Sequence, residues 1–185
     1  MNKIIRFIPL VLFVVLAVVL YRGLFLNPQA MPSALVGKKL PSFNLSEVHS
    51  ETHLVTEADL AEGILLFNVW GTWCPTCRYE HPFFIKLAKE GRVKIYGVNY
   101  QDDRELAINW LKTLGNPYEF SVFDPLGQLS RDLGVTGAPE TFVVDHNKVI
   151  RKRFQGAVTE EVWQTEFEPL IQLIEQEQRA QKGQG

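Results

Sequence analysis

Two cysteines stand three positions apart in the stretch FNVWGTWCPTCRYEHPF, Phe67 to Phe83, and the 185-residue chain has no others. A C-x-x-C pair admits four chemistries: a structural staple, a metal clip, a haem attachment or a redox couple. A zinc site normally takes four ligands. Only His49, His53, His81 and His146 could complete one, and none repeats a metal-ligand spacing. His81 falls on the same prospective helix as the cysteines and reads as a solvent-facing or capping group. Haem attachment requires a histidine directly after the second cysteine, and Arg78 stands there. A staple closing so short a loop adds little, because the entropic gain grows with loop length. A redox couple suits the position best. At the start of a helix, residues three apart share a face and can reach disulfide distance. The helix N-terminus offers unpaired N–H groups and positive dipole charge, which stabilise a thiolate on the first cysteine. Cys74 is thus expected to be the nucleophile, exposed at the strand-to-helix junction. Cys77, one turn in, is the resolving thiol. No metal and no cofactor is expected.

The elements that position such a pair are legible on either side of it. ILLFNVW (Ile64–Trp70) has the length and continuity of a strand buried on both faces. From Cys77 to Lys89, Phe84, Leu87 and Ala88 recur at helical spacing, with a kink expected at Pro82. Upstream, PSFNLSEV reads as a short strand, and HLVTEADLAEG as a strand end and a helical turn led by Thr56. Downstream, VKIYGVNY (Val93–Tyr100) is a strand, and DRELAINWLKTLG a helix with Leu106, Trp110 and Leu114 on one face. FSVFD (Phe120–Asp124) and GQLSRDLG follow as a short strand and a short helix. ETFVVDHNKVIRKRFQG predicts a hairpin turning at His146-Asn147. TEEVWQTEFEPLIQLIEQEQ predicts a last helix with Trp163, Phe167, Leu170 and Ile174 inward. Strands alternating with helices and closing in a hairpin predict an α/β sandwich around a mixed sheet.

The length allows one domain with an appendage, and the appendage is N-terminal. Residues 1–26, MNKIIRFIPLVLFVVLAVVLYRGLFL, contain no acid, and Lys3 and Arg6 precede the uncharged stretch Phe7–Tyr21. Residues 7–26 are 20 in number, about what a helix needs to cross ~30 Å of hydrocarbon. Pro9 sits in the first turn, where a missing N–H costs little, and Arg22 is close enough to the end to snorkel. Positive charge ahead of the span predicts the N-terminus inside and the rest outside. A cleaved signal peptide would need small residues at its cleavage site. Pro28-Gln29-Ala30 is a poor match, and bulky residues fill Leu20–Leu26. Both readings place the following domain across a membrane. Residues 27–37, NPQAMPSALVG, read as a linker and residues 38–185 as the domain. Beyond residue 26 the chain carries 16 basic and 21 acidic side chains, a net of −5. It lacks the clustered Lys and Arg that nucleic-acid binding needs, and its compartment permits disulfides.

WCPTC after a buried strand, with GVTGAPETFVVD further on, resembles the thioredoxin superfamily. The resemblance implies a thioredoxin-like three-layer sandwich with a central mixed sheet, here preceded by one transmembrane helix. It also implies that Pro139 is cis and packs beside the redox pair. The proline ring lacks an N–H, which leaves the backbone of the preceding residue free to pair with an extended substrate. NVWGTWCPTCRYEHP, GVNYQDDRELAINWLKTLGNPY and LGVTGAPETFVVD together resemble the membrane-anchored DsbE/CcmG family of cytochrome c maturation, over nearly the whole chain. That implies a bacterial protein held in the inner membrane by residues 7–26, with its soluble domain on the periplasmic side. Its electron donor would be a transmembrane thiol carrier of the DsbD or CcdA type. It would keep the CXXCH cysteines of apocytochrome c reduced, directly or through a partner such as CcmH.

One departure from ordinary thioredoxins bears on the chemistry. They place a buried Asp six residues before the first cysteine, where it helps move the second thiol's proton; here Asn68, which cannot titrate, stands there. Glu80, one turn beyond Cys77, and Glu140, directly after Pro139, are the candidates to replace it. Equally, Glu80 could be a solvated helix residue and Glu140 a rim charge for partner choice. Pro75 and Thr76 lie where they tune the redox poise. Trp70 and Trp73 flank the pair as packing or substrate contacts, and GNPYEFSVFD is a longer segment suited to partner selection. A general oxidase or isomerase shares the chemistry. GKKLPSFNL also resembles the start of peroxiredoxins, which have Thr where this chain has Gly71. An apocytochrome-binding module with incidental thiols is the alternative of a different class.

Overall fold

The computed structural model describes residues 8–23 and 35–183. The chain divides into two compact units, residues 1–32 and 33–185. In the first, Ile8–Gly23 forms one helix, α1, apolar throughout until Arg22. Its 16 residues rise about 24 Å at 1.5 Å each. Among the described residues no helix is long and apolar enough to cross a membrane. The ends of the expected span, residue 7 and residues 24–26, lie outside the described residues, as does most of the expected linker.

The second unit is built on one seven-stranded sheet. Its strands are β1 (Asn44–Glu47), β2 (Ser50–Thr56), β3 (Leu65–Trp70), β4 (Lys94–Tyr100), β5 (Ser121–Asp124), β6 (Glu140–Val144) and β7 (Ile150–Gln155). The order across the sheet is β2-β1-β5-β4-β3-β6-β7. β3, β4 and β5 run parallel, and the other pairings are antiparallel. The helices are α2 (Pro75–Glu90), α3 (Arg104–Leu114), α4 (Gln128–Asp132), α5 (Glu160–Val162) and α6 (Glu168–Lys182). Contacts precede β1 in the chain: Leu35 packs on the core, and the Gly37 N–H donates to the Ile150 carbonyl.

The two-residue period of a strand sorts β3 into two cores. Leu66 and Trp70 join Phe84 and Leu87 of α2, Trp110 of α3 and Ile171 of α6 on one face. Leu65, Phe67 and Val69 join Phe43, Leu60 and Leu129 on the other. Helices therefore cover both faces of a mixed sheet, the expected three layers. β3 is buried at all six positions, as an apolar run in mid-sheet requires. Thr56 leads a helical turn with a complete capping box to Asp59, as its side chain allows.

α2 runs unbroken as a helix through Pro82, where the ring removes the bond that residue 82 would donate to the Arg78 carbonyl. Two expectations for the helices shift, those for α3 and for the C-terminal helix. On α3 the inward residues are Ala107, Trp110 and Leu111, while Leu106 is 57% exposed. The small Ala107 sits in the core and turns the face by one residue. At the C-terminus a π turn at Trp163–Phe167 separates α5 from α6. Ile171 is buried with Trp163, Phe167 and Ile174, and Leu170 is only partly covered.

Candidate active site

β3 ends at Trp70 and delivers the chain through Gly71, Thr72 and Trp73 into α2. The Trp73 indole lies over Gly71 so closely that a Cβ there would meet it at 2.5 Å. The next turn is fixed by Asp102. Its carboxylate accepts the Thr72 N–H and hydroxyl, both at 2.6 Å, and the Asn99 side-chain amide at 2.8 Å. The Trp73 indole N–H donates to the Tyr100 carbonyl at 3.0 Å. Trp73 is 49% exposed beside the pair, whereas Trp70 is core, stacked on Tyr118 and bonded to Ser121.

Cys74 is the N-cap residue of α2, with extended backbone and Pro75 at the first helical position. It is joined to Cys77 by a disulfide, with Cα atoms 5.3 Å apart. The Cys77 N–H donates to Cys74 Sγ at 3.0 Å, so the first sulfur occupies the place of a capping oxygen. That is where helix N–H groups favour negative charge once the disulfide opens. Cys74 is less open than expected: it is 2% exposed, with its sulfur bonded to Cys77. The Ala138–Pro139 peptide is cis, and Ala138 packs against the core cluster that contains both cysteines.

Under the pair lies a buried polar chain. Glu80, one turn beyond Cys77, is 1% exposed and is not a solvated helix residue. Its Oε1 accepts from Asn68 Nδ2 at 2.9 Å and its Oε2 from the Val158 N–H at 2.9 Å. Asn68 Nδ2 also donates to the Thr141 hydroxyl at 3.2 Å, and its Oδ1 accepts from the Tyr118 hydroxyl at 2.8 Å. Burial raises the Glu80 pKa to about 8, against the two hydrogen bonds that favour its charged form. Burial, with the neighbouring Glu80, also lifts the Tyr118 phenol well above its usual range.

Glu140 is placed differently. Asn68 pairs with Thr141 and Val69 with Glu140 across β3 and β6. Asn68 faces α2, so the strand period turns Glu140 to the opposite face of the sheet. There it is buried rather than at a rim, ion-paired to Arg153 at 2.7 Å. Burial alone would raise its pKa, but Arg153, Thr136 and Gln155 outweigh that and hold it low. His81 is likewise buried rather than solvent-facing. One ring nitrogen bonds the Gly115 carbonyl at 2.9 Å, and the other accepts the Trp110 indole N–H at 3.5 Å. Burial lowers its pKa, opposed by the Gly115 bond and aided by Arg78.

A family model described as Redoxin matches residues 35–169. Thiol:disulfide interchange protein DsbE of Pseudomonas aeruginosa is 48% identical over 180 residues, 97% of this chain and 99% of that one. The chain belongs to the DsbE family. DsbE of Escherichia coli K12 is 43% identical over 183 residues, covering 96% and 98% of the two chains. Among solved structures, a secreted thiol-disulfide isomerase of Corynebacterium glutamicum superposes with a TM-score of 0.62 at 25% identity, covering 72% of this chain and 85% of that one.

As a DsbE-family member the chain is a thiol-disulfide oxidoreductase, and its dithiol is the pair at the α2 N-terminus. Among the described residues no cluster of His, Cys, Asp and Glu could hold a metal. Sequence reasoning missed Asp102, Tyr118, Thr141 and Arg153. Asp102 stood next to Asp103, the N-cap of α3, where one acid of the pair is unaccounted for by capping. Tyr118 lay in a segment read only for partner choice, and nothing local marks Thr141 or Arg153.

Proposed function

We propose that this protein is a membrane-tethered periplasmic reductant of cytochrome c biogenesis, acting on apocytochrome c or on a partner such as CcmH. In the reduced state the Cys74 thiolate attacks one sulfur of the acceptor disulfide and forms a mixed disulfide. The acceptor's other sulfur leaves with the electron pair and takes a proton from water. Cys77 then gives its proton to the Glu80 carboxylate and attacks Cys74 Sγ, releasing the acceptor's second sulfur as a thiolate that also takes a proton from water. The acceptor gains two electrons and two protons, and the enzyme keeps the Cys74–Cys77 disulfide. In that oxidised state a carboxyl with a pKa of about 8 holds the proton at neutral pH. A transmembrane donor of the DsbD or CcdA type reopens the disulfide, and Cys77 leaves as a thiolate that takes the proton back. Pro139 shapes the surface on which the acceptor chain docks.

The observation that carries this reading is the buried Glu80, bonded among the described residues only to Asn68 and the Val158 N–H, on the face of α2 that holds Cys77. Glu140, on the far side of the sheet and paired with Arg153, is not suited to that transfer. The membrane assignment is supported by the apolar course of residues 7–26 and by Lys3 and Arg6 ahead of it. The direction of electron flow and the cytochrome role are supported by the likeness to the DsbE/CcmG family. A general isomerase is the competing reading, favoured by the likeness to the Corynebacterium glutamicum enzyme. The double variant Cys74→Ser/Cys77→Ser tests the reading in a strain lacking its own copy of the protein. Loss of mature cytochrome c with the anchored, folded variant still present is expected. Retained maturation would leave only a binding role.

A further inference from the structure

Glu140 adjoins the cis peptide yet faces away from the thiols, and five hydrogen bonds converge on its buried carboxylate. The Thr136 N–H and hydroxyl donate to Oε1 at 2.9 and 3.0 Å. Arg153 spans both oxygens, at 2.7 Å from Nε and 2.9 Å from the terminal nitrogen, and the Gln155 amide reaches Oε1 at 3.1 Å. Arg153 and Gln155 also bond the Thr136 hydroxyl, at 3.3 and 2.8 Å. Thr136 is exposed and belongs to the loop before the cis bond; Arg153 and Gln155 belong to β7. The carboxylate therefore clamps that loop to the end of the sheet, and the Gly156 N–H holds the Pro139 carbonyl at 3.0 Å beside it. Between Thr136 and Pro139, Ala138 is half-buried and has no hydrogen bond among the described residues. Its N–H and C=O are free to pair, and Ala138 packs on the cluster that holds Cys74 and Cys77.

We propose that Glu140 is a positioning residue for polypeptide disulfides: it holds the Thr136–Ala138 backbone where the Ala138 peptide group pairs with the acceptor's main chain. This rests on thiol-disulfide exchange at Cys74, whatever the acceptor. A small disulfide has no main chain to pair, so the clamp acts selectively, through placement rather than charge at the thiols.

The test uses the full chain, reduced, in detergent micelles, and measures exchange with 2-hydroxyethyl disulfide, which has no amide group, and with a disulfide-bonded CXXC peptide. Glu140→Ala is expected to lower kcat/KM for the peptide about tenfold, mainly through KM, and to change the hydroxyethyl disulfide rate by less than about twofold. The Cys74 thiolate titration stays where it is, and Glu140→Gln, which keeps an acceptor for Thr136, recovers most of the loss. Thr136→Ala, an exposed substitution that spares the fold, shows the same selectivity at about threefold. Equal losses on both disulfides, or a displaced Cys74 titration, would overturn the assignment. A parent chain inert towards both disulfides would overturn the exchange chemistry itself, and this inference with it.

Discussion

A carboxyl on the outer face of a helix would titrate like any other, and the same group at Glu80 does not, because α2 turns it under Cys77 against Asn68 and Val158. The fold favours its neutral form. Between the ordinary value of 4.5 and about 8, the folded chain holds a proton that the unfolded chain releases. Stability from this group is therefore full below 4.5 and falls as pH rises through that window. At about 1.4 kcal/mol per pKa unit, the whole effect is on the order of a few kcal/mol. Glu80→Gln is expected to remove that slope: urea unfolding of the oxidised protein at pH 6 and pH 9 should differ less in the variant than in the parent. The same variant should slow the step in which Cys77 displaces the acceptor and flatten its pH profile near 8. A parent-like profile would take the proton away from Glu80. The sequence marked Glu80 by its distance from Cys77 but hid its burial, since a polar residue counts toward the outer face of a periodic helix. His81 was misread for the same reason.

At the level of elements, the site depends on one tie between three of them. Asn68 on β3 bonds Glu80 on α2 and Thr141 on β6, and it receives the hydroxyl of Tyr118 from the loop before β5. Asn68→Ala would leave those partners buried and unpaired. A loss of about 3 kcal/mol is expected, seen as a lower urea midpoint with an unchanged slope. An effect under about 1 kcal/mol would mean that the network relaxes onto other partners. The strands of this tie were legible from their apolar runs and β-branched content. Their alignment was not, because the register of β3 against β6 joins residues 73 positions apart. That register puts Glu140 behind the sheet, a placement its nearness to Pro139 concealed. The π turn at Trp163–Phe167 was also hidden, since one extra residue in a turn leaves no local mark on an amphipathic stripe.

Across the whole molecule, the chain supplies one dithiol and a domain whose net charge beyond residue 26 is −5. An apolar helix lies in a separate N-terminal unit. The mixed sheet and its closing hairpin were expected from the alternation of strands and helices. The strand order was not, because β1 and β5, neighbours in the sheet, lie far apart in the sequence. A dithiol at a helix N-terminus can pass electrons either way, and its potential decides which. Stabilising the Cys74 thiolate favours the reduced form and makes a stronger oxidant. Here the capping N–H of Cys77 works against the burial of both sulfurs. Equilibrium titration of the full chain against a glutathione or dithiothreitol buffer measures the balance. A value of about −200 to −270 mV is expected of a reductant fed from the membrane, and one near about −120 mV would contradict that role and make the protein a disulfide donor.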